Sequence, residues 1–168
     1  MSRARCYALR VEELETKLPA ELRAERVLVL HVELAARQEL GPSKYGARYV
    51  VPITGGRFAS DKLLELRGAV LPGGADWQLV RPDGVLELDA RYSLRADDGS
   101  LIHVRNRGIA ARAPAVEGQP PAPVYVRTSP QFEAPLASPH AWLNHTLFLG
   151  GLELRSGSSV CIAVYRVL

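Results

Sequence analysis

Residues Ala75–Ile109 read ADWQLVRPDGVLELDARYSLRADDGSLIHVRNRGI, and this stretch decides the fold. Two turn signals, Pro82-Asp83-Gly84 and Asp97-Asp98-Gly99, divide it into three segments rich in alternating apolar residues. Each turn ends in glycine, the residue that tolerates the left-handed position of a bulged hairpin. Two three-residue loops therefore predict an antiparallel meander with one register. That register places Arg81 opposite Val85, Asp76 opposite Ala90, Ala96 opposite Ser100 and Ala90 opposite Asn106.

The alternation of side chains separates the two faces of this meander. Side chains point to opposite faces at successive positions of a strand, and a one-residue slip would mix the two sets. The apolar face carries Val80, Leu86, Leu88, Ala90, Leu94, Ile102 and Val104. The other face carries Glu87, Asp89, Arg91, Ser93, Arg95, His103, Arg105 and Arg107. The apolar face is therefore predicted to point inward.

Four polar residues share the inward face: Asp76, Gln78, Tyr92 and Asn106. An unsatisfied buried polar group costs ~1–3 kcal/mol, so such side chains must bond one another, the backbone, water or a ligand. A mostly apolar wall with a few convergent polar groups is typical of a small-molecule pocket. We therefore predict a pocket; the alternative is that the four side chains satisfy one another and buried backbone at one end of a barrel.

The rest of the chain continues the β pattern, with short apolar runs between turn residues about ten positions apart. Strands are predicted at 26–35, 47–54, 63–71, 75–81, 85–96, 101–109, 124–132, 145–154 and 159–167, with 6–11 as a further candidate. Residues 12–23 carry leucines at four-residue spacing, but Pro19 limits any helix to a turn or two. We predict an all-β protein with a short N-terminal helical extension at residues 1–24. Residues 25–168 are predicted to form one closed or nearly closed antiparallel barrel of about eight to ten strands.

Composition argues against several classes of partner. The 168 residues are 47% apolar and 23% charged, as in a globular domain, and the net charge is +3. The basic residues are scattered rather than clustered, so no nucleic-acid partner is expected. Glu12, Glu13 and Glu15 interrupt any signal peptide, and no apolar run could span a membrane. Two lone cysteines, Cys6 and Cys161, fit a reducing cytoplasm, which is the expected location.

Neither a metal site nor a nucleotide cofactor is predicted. His31, His103, His140 and His145 are too dispersed to form a recognisable ligand set. Gly55-Gly56 and Gly73-Gly74 lack the residues that would follow them in a phosphate-binding loop. We therefore expect no cofactor.

Several segments together resemble one family. They are Gly46-Ala-Arg48, Pro52–Phe58, Pro72-Gly-Gly-Ala-Asp-Trp-Gln78, Leu88-Asp-Ala-Arg-Tyr92, Asp98–Ile102, Asn106-Arg-Gly108, Tyr125-Val-Arg-Thr128, Phe132-Glu133, Trp142-Leu-Asn144 and Val164-Tyr-Arg-Val167. From about Leu28 to the C-terminus the chain resembles the UPF0311 group, also called DUF3237. The resemblance implies a compact and often dimeric β-barrel, similar in shape to allene oxide cyclase and dirigent barrels. The leader at 1–24 and the segment Ser60–Gly68 depart from the family pattern, so no relative's substrate transfers directly.

Asp76 and Tyr92 are the predicted catalytic pair. A carboxylate on an apolar wall has its pKa raised by desolvation and is suited to move a proton. Tyr92 can donate to a carbonyl or enolate oxygen. Asp76 can alternatively cap the turn at Pro72–Gly74, and Tyr92 can simply fill space.

A second group is predicted to bind substrate. Arginine offers a planar fork for a carboxylate or enolate, while amides and aromatic rings can hold a carbonyl compound. The predicted binding residues are Arg48, Gln78, Asn106, Tyr125, Arg127, Trp142 and Asn144. Backbone bonding by the asparagines and plain packing by Trp142 are the alternatives.

Our preferred hypothesis is a cofactor-independent lyase, isomerase or cyclase that acts on a small, partly apolar carbonyl or polyketide-like compound. The main alternative is a barrel that binds or carries a small molecule without catalysis. An interaction module with a filled interior is the third. Trp77 and Leu79 share the outer face with Asp89, and this apolar pair predicts a homodimer.

Overall fold

The computed structural model describes residues 21–60, 62, 65–112, 124–156 and 158–168. The predicted strand at 6–11, most of the predicted helical extension and the Pro/Gly-rich stretch 114–123 lie outside the described residues. The side chains of Arg112 and Ser156 do as well.

The described residues form ten antiparallel strands and one short 3-10 helix. The strands are β1 (Ala24–Leu34), β2 (Gln38–Ser43), β3 (Gly46–Ala59), β4 (Arg67–Val70), β5 (Gly74–Val80), β6 (Leu86–Ala96), β7 (Leu101–Arg112), β8 (Val124–Glu133), β9 (Phe148–Ser156) and β10 (Ser159–Val167). The 3-10 helix spans Ala141–His145, between β8 and β9.

The sheet closes on itself through β1, which pairs with β10 on one side and with β3 on the other. From β10 the pairing continues through β9, β8, β7 and β6. Strands β4 and β5 share the next position, since each pairs with both β3 and β6 at different heights. The predicted closed, all-β antiparallel barrel is confirmed.

The predicted register of the central meander is also confirmed. Asp76 lies opposite Ala90, and Ala90 lies opposite Asn106. Both turns close as three-residue loops, with Gly84 at φ 82° and Gly99 at φ 87°, the left-handed conformation that glycine accepts without strain.

Apolar side chains fill only one end of the barrel, which we call the filled end. Its buried core includes Leu28, Leu30, Phe58, Leu94, Ile102, Val104, Phe132 and Val164. The 3-10 helix lies against this end: Leu143 is buried, and the Trp142 ring packs against Phe148 at a centroid distance of 6.0 Å. The interior toward the opposite end, which we call the mouth, is left for a cavity.

Three elements differ from the prediction. Strand β9 begins at Phe148 rather than His145, because residues 141–145 form the 3-10 turn under the filled end. Strand β4 is limited to Arg67–Val70 within the predicted 63–71. Strand β2 was not predicted, because its sequence is polar and contains Gly41-Pro42. In the described residues it forms a strand through its pairing with β3. No helix among the described residues is long and apolar enough to span a bilayer.

Candidate functional site

A cavity of about 870 Å³ occupies the half of the barrel nearer the mouth. Its walls are mainly aliphatic and come from nearly every strand of the barrel. The apolar lining includes Val32, Ile53, Leu86, Leu88, Val126 and Ile162. A cavity of this size and lining is typical of a site for a small organic molecule.

Asp76, Gln78, Tyr92 and Asn106 all line this cavity, as the register predicted. Asp76 and Asn106 flank Ala90 on adjacent strands, so the carboxyl group and the amide lie on either side of a small side chain. The structure therefore brings these four polar residues together. Whether they bind or transform a ligand stays a prediction.

Two hydrogen bonds hold the Asp76 carboxylate. Gln78 Nε2 donates to Oδ2 at 2.8 Å, and the backbone N–H of Asp89 donates to Oδ1 at 3.0 Å. The alternative role, a cap on the Pro72–Gly74 turn, receives no support, since neither donor belongs to that turn. Each carboxylate oxygen keeps a lone pair that can accept from a ligand.

Burial changes the acidity of both predicted catalytic groups. Desolvation raises the pKa of Asp76, and the two hydrogen bonds oppose that shift only in part. Burial also raises the pKa of the Tyr92 hydroxyl, and the nearby Asp76 charge adds to the increase. Tyr92 therefore keeps a proton that it can donate at neutral pH, while Asp76 binds a proton more readily than an exposed aspartate does.

Two buried polar atoms on the cavity wall have no hydrogen-bond partner. They are Asn106 Oδ1 and Thr128 Oγ1, on side chains that are only 3% and 4% exposed. Buried polar atoms without partners are rare, and each one requires an explanation. Both atoms are closed off from the cavity as the side chains stand, so a ligand could pair with them only after the side chains rotate.

Two glycines make room for Thr128. A Cβ on Gly108 of β7 would lie 2.5 Å from Thr128 Cγ2, and a Cβ on Gly150 of β9 would lie 2.2 Å from Thr128 Oγ1. Strand β8 runs between these strands, and Thr128 pairs with both glycines. The local sequence thus fixes the Thr128 side chain against two bare backbones.

Outside the barrel wall, an ion-pair network lies behind Asp76. Arg105 donates twice to the Asp89 carboxylate, with both distances at 3.1 Å, and Arg91 adds a contact at 3.3 Å. The Arg105 hydrogen bonds are the main cause of the lowered pKa of Asp89. Since the Asp89 N–H bonds to Asp76, this network steadies the backbone that positions the inner carboxylate.

The mouth carries two arginines that line the cavity, Arg37 and Arg155. Arg37 follows β1, and its guanidinium carbon lies 4.1 Å from the centroid of the Tyr49 ring. Arg155 is near the end of β9 and has one contact of 3.4 Å with Glu153.

Five predicted binding residues do not line the cavity. Arg48 lines a separate groove on the outer face beside Trp77, and Tyr125 and Arg127 are exposed on the outer side of β8. Trp142 and Asn144 lie under the filled end. Asn144 holds the backbone of Ala134 through bonds of 2.7 and 2.9 Å. The structure therefore does not bring Arg48, Tyr125, Arg127, Trp142 and Asn144 to the cavity, as had been expected of predicted binding residues.

Three polar residues of the cavity lining were not predicted as site residues: Thr128, Arg37 and Arg155. Thr128 shares the parity of Val124 and Val126, which line the same wall, so alternation along β8 could have identified it. The two arginines lie at or beyond strand ends, where alternation gives no orientation. No group of three or more potential metal-ligating side chains was found among the residues that the structure describes.

Sequence comparison identifies a family profile and relatives that match this chain. Residues 22–167 match the family profile described as "Protein of unknown function (DUF3237)". A UPF0311 protein of Rhodopseudomonas palustris is 38% identical over 132 residues, which cover 73% of this chain and 82% of that protein.

Solved structures show the same fold. A protein of unknown function from Clostridium acetobutylicum superposes with a TM-score of 0.77 at 31% identity, covering 90% of this chain and 100% of the other. A structure described as an enzyme from Penicillium herquei superposes with a TM-score of 0.67, covering 90% of this chain and 98% of its own. Its sequence identity is only 18%, so it shows the fold alone.

Proposed function

This chain belongs to the DUF3237 family, and we propose that it is a cofactor-independent enzyme that moves a proton on a small, partly apolar carbonyl compound. The substrate would lie in the barrel cavity, and the reaction would be a lyase, isomerase or cyclase step. One observation carries the proposal: a carboxyl group with a raised pKa lines an apolar cavity beside a tyrosine that keeps its proton.

Asp76 is the proposed proton-transfer group. A general base works best when its pKa approaches the operating pH, and burial shifts Asp76 in that direction. The fixed donors Gln78 and Asp89 N–H orient the carboxylate without occupying all of its lone pairs. The same carboxyl group can accept a proton from one position of the substrate and return it to another.

Tyr92 and Asn106 are the proposed oxygen-binding groups. Abstraction of a proton beside a carbonyl places negative charge on the carbonyl oxygen, and a donor fixed in advance stabilises that charge. The Tyr92 hydroxyl is such a donor because its raised pKa keeps it protonated. Asn106 lines the same cavity, and its amide N–H can donate to the same oxygen.

The apolar walls strengthen these interactions. Charge interactions are larger where water is excluded, and the aliphatic lining removes competing solvent from around Asp76. The Penicillium herquei enzyme adds the support of fold analogy, since a barrel of similar shape is described there as an enzyme. A cytoplasmic location remains part of the proposal, on the composition of the chain and its free Cys161.

The test follows proton exchange on a probe ketone. A tetralone carboxylate, a bicyclic aryl ketone with one carboxylate on its aromatic ring, is incubated with the protein in D₂O. Loss of the signal of the hydrogens next to the carbonyl is followed by proton NMR. The parent should accelerate exchange over buffer. Asp76→Asn should lower that acceleration by about 10²–10⁴-fold, and Tyr92→Phe by about 10–100-fold.

Asp97→Asn is the matched control, because Asp97 is an exposed aspartate that pairs with Arg67 at the filled end. It should exchange the probe like the parent. An Asp76→Asn variant that is at least as stable as the parent and exchanges the probe at the parental rate would overturn the proposed mechanism. A parent that binds the probe without accelerating exchange would favour the carrier function instead.

A further inference from the structure

We propose that the ligand of this cavity is an amphipathic carboxylate whose anionic group binds at the mouth, between Arg37 and Arg155, while its apolar body lies inside. The inference specifies the substrate class for the proposed function, yet it concerns binding and would hold equally for a carrier.

The distribution of charge in the cavity is the first argument. Among the described lining residues, the formally charged side chains are Asp76 inside and Arg37 and Arg155 at the mouth. The remaining lining is mainly aliphatic. Both cations therefore lie at one end of a mainly aliphatic cavity of about 870 Å³. This pattern suits a molecule with one anionic end and an apolar body.

The environment of each arginine leaves donors available. Stacking on Tyr49 occupies the flat face of the Arg37 guanidinium and leaves its in-plane N–H groups directed elsewhere. Arg155 has a single contact of 3.4 Å with Glu153, and both side chains are exposed. Exposed pairs of this kind contribute little, so this contact does not commit the Arg155 fork. A carboxylate accepts two parallel bonds from such a fork.

Asp76 fixes the orientation of the ligand. An anionic group placed deep in the cavity would meet the Asp76 carboxylate in a medium of low dielectric, where like charges repel strongly. At the mouth the same group keeps part of its hydration and lies near cations instead.

The pairing of β3 with β5 gives the distance along the site. Tyr49 pairs with Gln78, and Val51 pairs with Asp76, two residues deeper. Two residues of strand rise are about 7 Å. A ligand held by Arg37 beside Tyr49 would therefore place a carbonyl near Asp76 when about one fused ring pair separates its two polar ends.

The experiment compares two probes that differ in charge alone: the tetralone carboxylate and its primary amide. Isothermal titration calorimetry at neutral pH gives Kd for each probe. The parent should bind the acid at least tenfold more tightly than the amide. This preference should shrink in 1 M salt, where the screening length falls to about 3 Å.

Variants assign the preference to the mouth. Arg37→Gln and Arg155→Gln should each weaken acid binding by about three- to tenfold, and the double variant should bind acid and amide alike. The amide affinity should change little in all three. Arg95→Gln is the charge-matched control, because Arg95 is exposed on the outer side of β6 toward the filled end. It should keep the parental preference.

Equal binding of acid and amide by the parent, or a preference that survives the double variant, would overturn the inference. Failure of the parent to bind the acid at millimolar concentration would overturn it as well. Asp76→Asn separates this inference from the proposed catalysis, because it should lower proton exchange by the same factor, about 10²–10⁴-fold, while keeping the preference for the acid. If Asp76→Asn loses exchange and keeps the preference for the acid, the result supports both the anionic ligand and the proposed catalysis. If the parent prefers the acid but does not accelerate exchange, the anionic ligand is supported and the proposed catalysis is refuted.

Discussion

The unpaired hydroxyl of Thr128 allows a prediction about stability. Thr128→Val replaces this hydroxyl by a methyl group of similar shape, in a side chain that is 4% exposed. An unsatisfied buried polar group costs ~1–3 kcal/mol, and its removal recovers part of that cost. We therefore expect the variant to be more stable than the parent by about 1 kcal/mol, since the methyl must also fit against Gly150.

Thr146 supplies the matched control. Its Oγ1 donates to the backbone oxygen of Trp142 at 3.0 Å, so Thr146→Val removes a satisfied hydroxyl. That change should destabilise the protein by about 1 kcal/mol. Both variants are measured by urea unfolding without ligand. For a domain of this length, 1 kcal/mol corresponds to a shift of about 2–4 °C in Tm, so the two variants should differ in opposite directions from the parent.

The outcome decides what the Thr128 hydroxyl does. If both variants lose stability by similar amounts, the hydroxyl has a structural partner, such as a fixed water, and no ligand is needed to complete it. If Thr128→Val gains stability and also binds the tetralone carboxylate more weakly, the hydroxyl is kept for the ligand at the expense of the fold.

The pKa of Asp76 in the folded protein lies above its ordinary value of 3.8, so the ionised carboxylate lowers stability at neutral pH. Asp76→Asn should therefore be more stable than the parent near pH 7. Urea unfolding should show this gain shrinking as the pH falls through the folded-state pKa toward 3.8. Gly56→Ala should lower the free energy of unfolding by about 3 kcal/mol or more, because the φ of Gly56 is +133° and the new Cβ would lie 2.1 Å from His31 O, where the barrel closes. Gly151 has open space around it, so Gly151→Ala should change the free energy of unfolding little. Trp77 is 43% exposed beside the outer groove, and we predict that a second copy of the chain covers it in a homodimer. Light scattering should give about twice the chain mass of 18.4 kDa, and Trp77→Arg should return the mass to that of one chain. A parent protein with the mass of one chain at high micromolar concentration would contradict the dimer.

The part of the site that the sequence predicted depends on short turns. Tight loops at Pro82–Gly84 and Asp97–Gly99 fix how many residues separate one strand from the next, so parity is carried from β5 through β6 to β7. The orientation of Asp76, Tyr92 and Asn106 follows from that parity. One detail failed: Leu79 was expected to be an exposed apolar residue, but it is buried beneath the outer groove.

The part that the sequence did not predict lies beyond long or irregular connections. Eleven residues, 113–123, separate β7 from β8, so nothing in the local pattern specified that Thr128 would meet Gly108. Arg37 depends on β2, whose polar sequence carries no strand periodicity. Asn144 is polar and close to strand-like sequence, yet the 3-10 turn directs it to the backbone of Ala134.

Ala90 lies on the cavity wall together with the site residues that the sequence predicted and those that it did not. It lies between Asp76 and Asn106 in a row that continues from Val51 on β3 to Pro130 on β8. A larger side chain there would fill the space that Asp76 and Asn106 border, and the interior would become continuous with the core of the filled end. The small residue keeps the polar row open to the cavity, so a ligand held at the mouth can reach it. A barrel whose only requirement was stability would fill this position, because burying additional apolar area stabilises a core. An unfilled space beside a carboxylate of raised pKa is therefore what we expect if the cavity binds the proposed ligand.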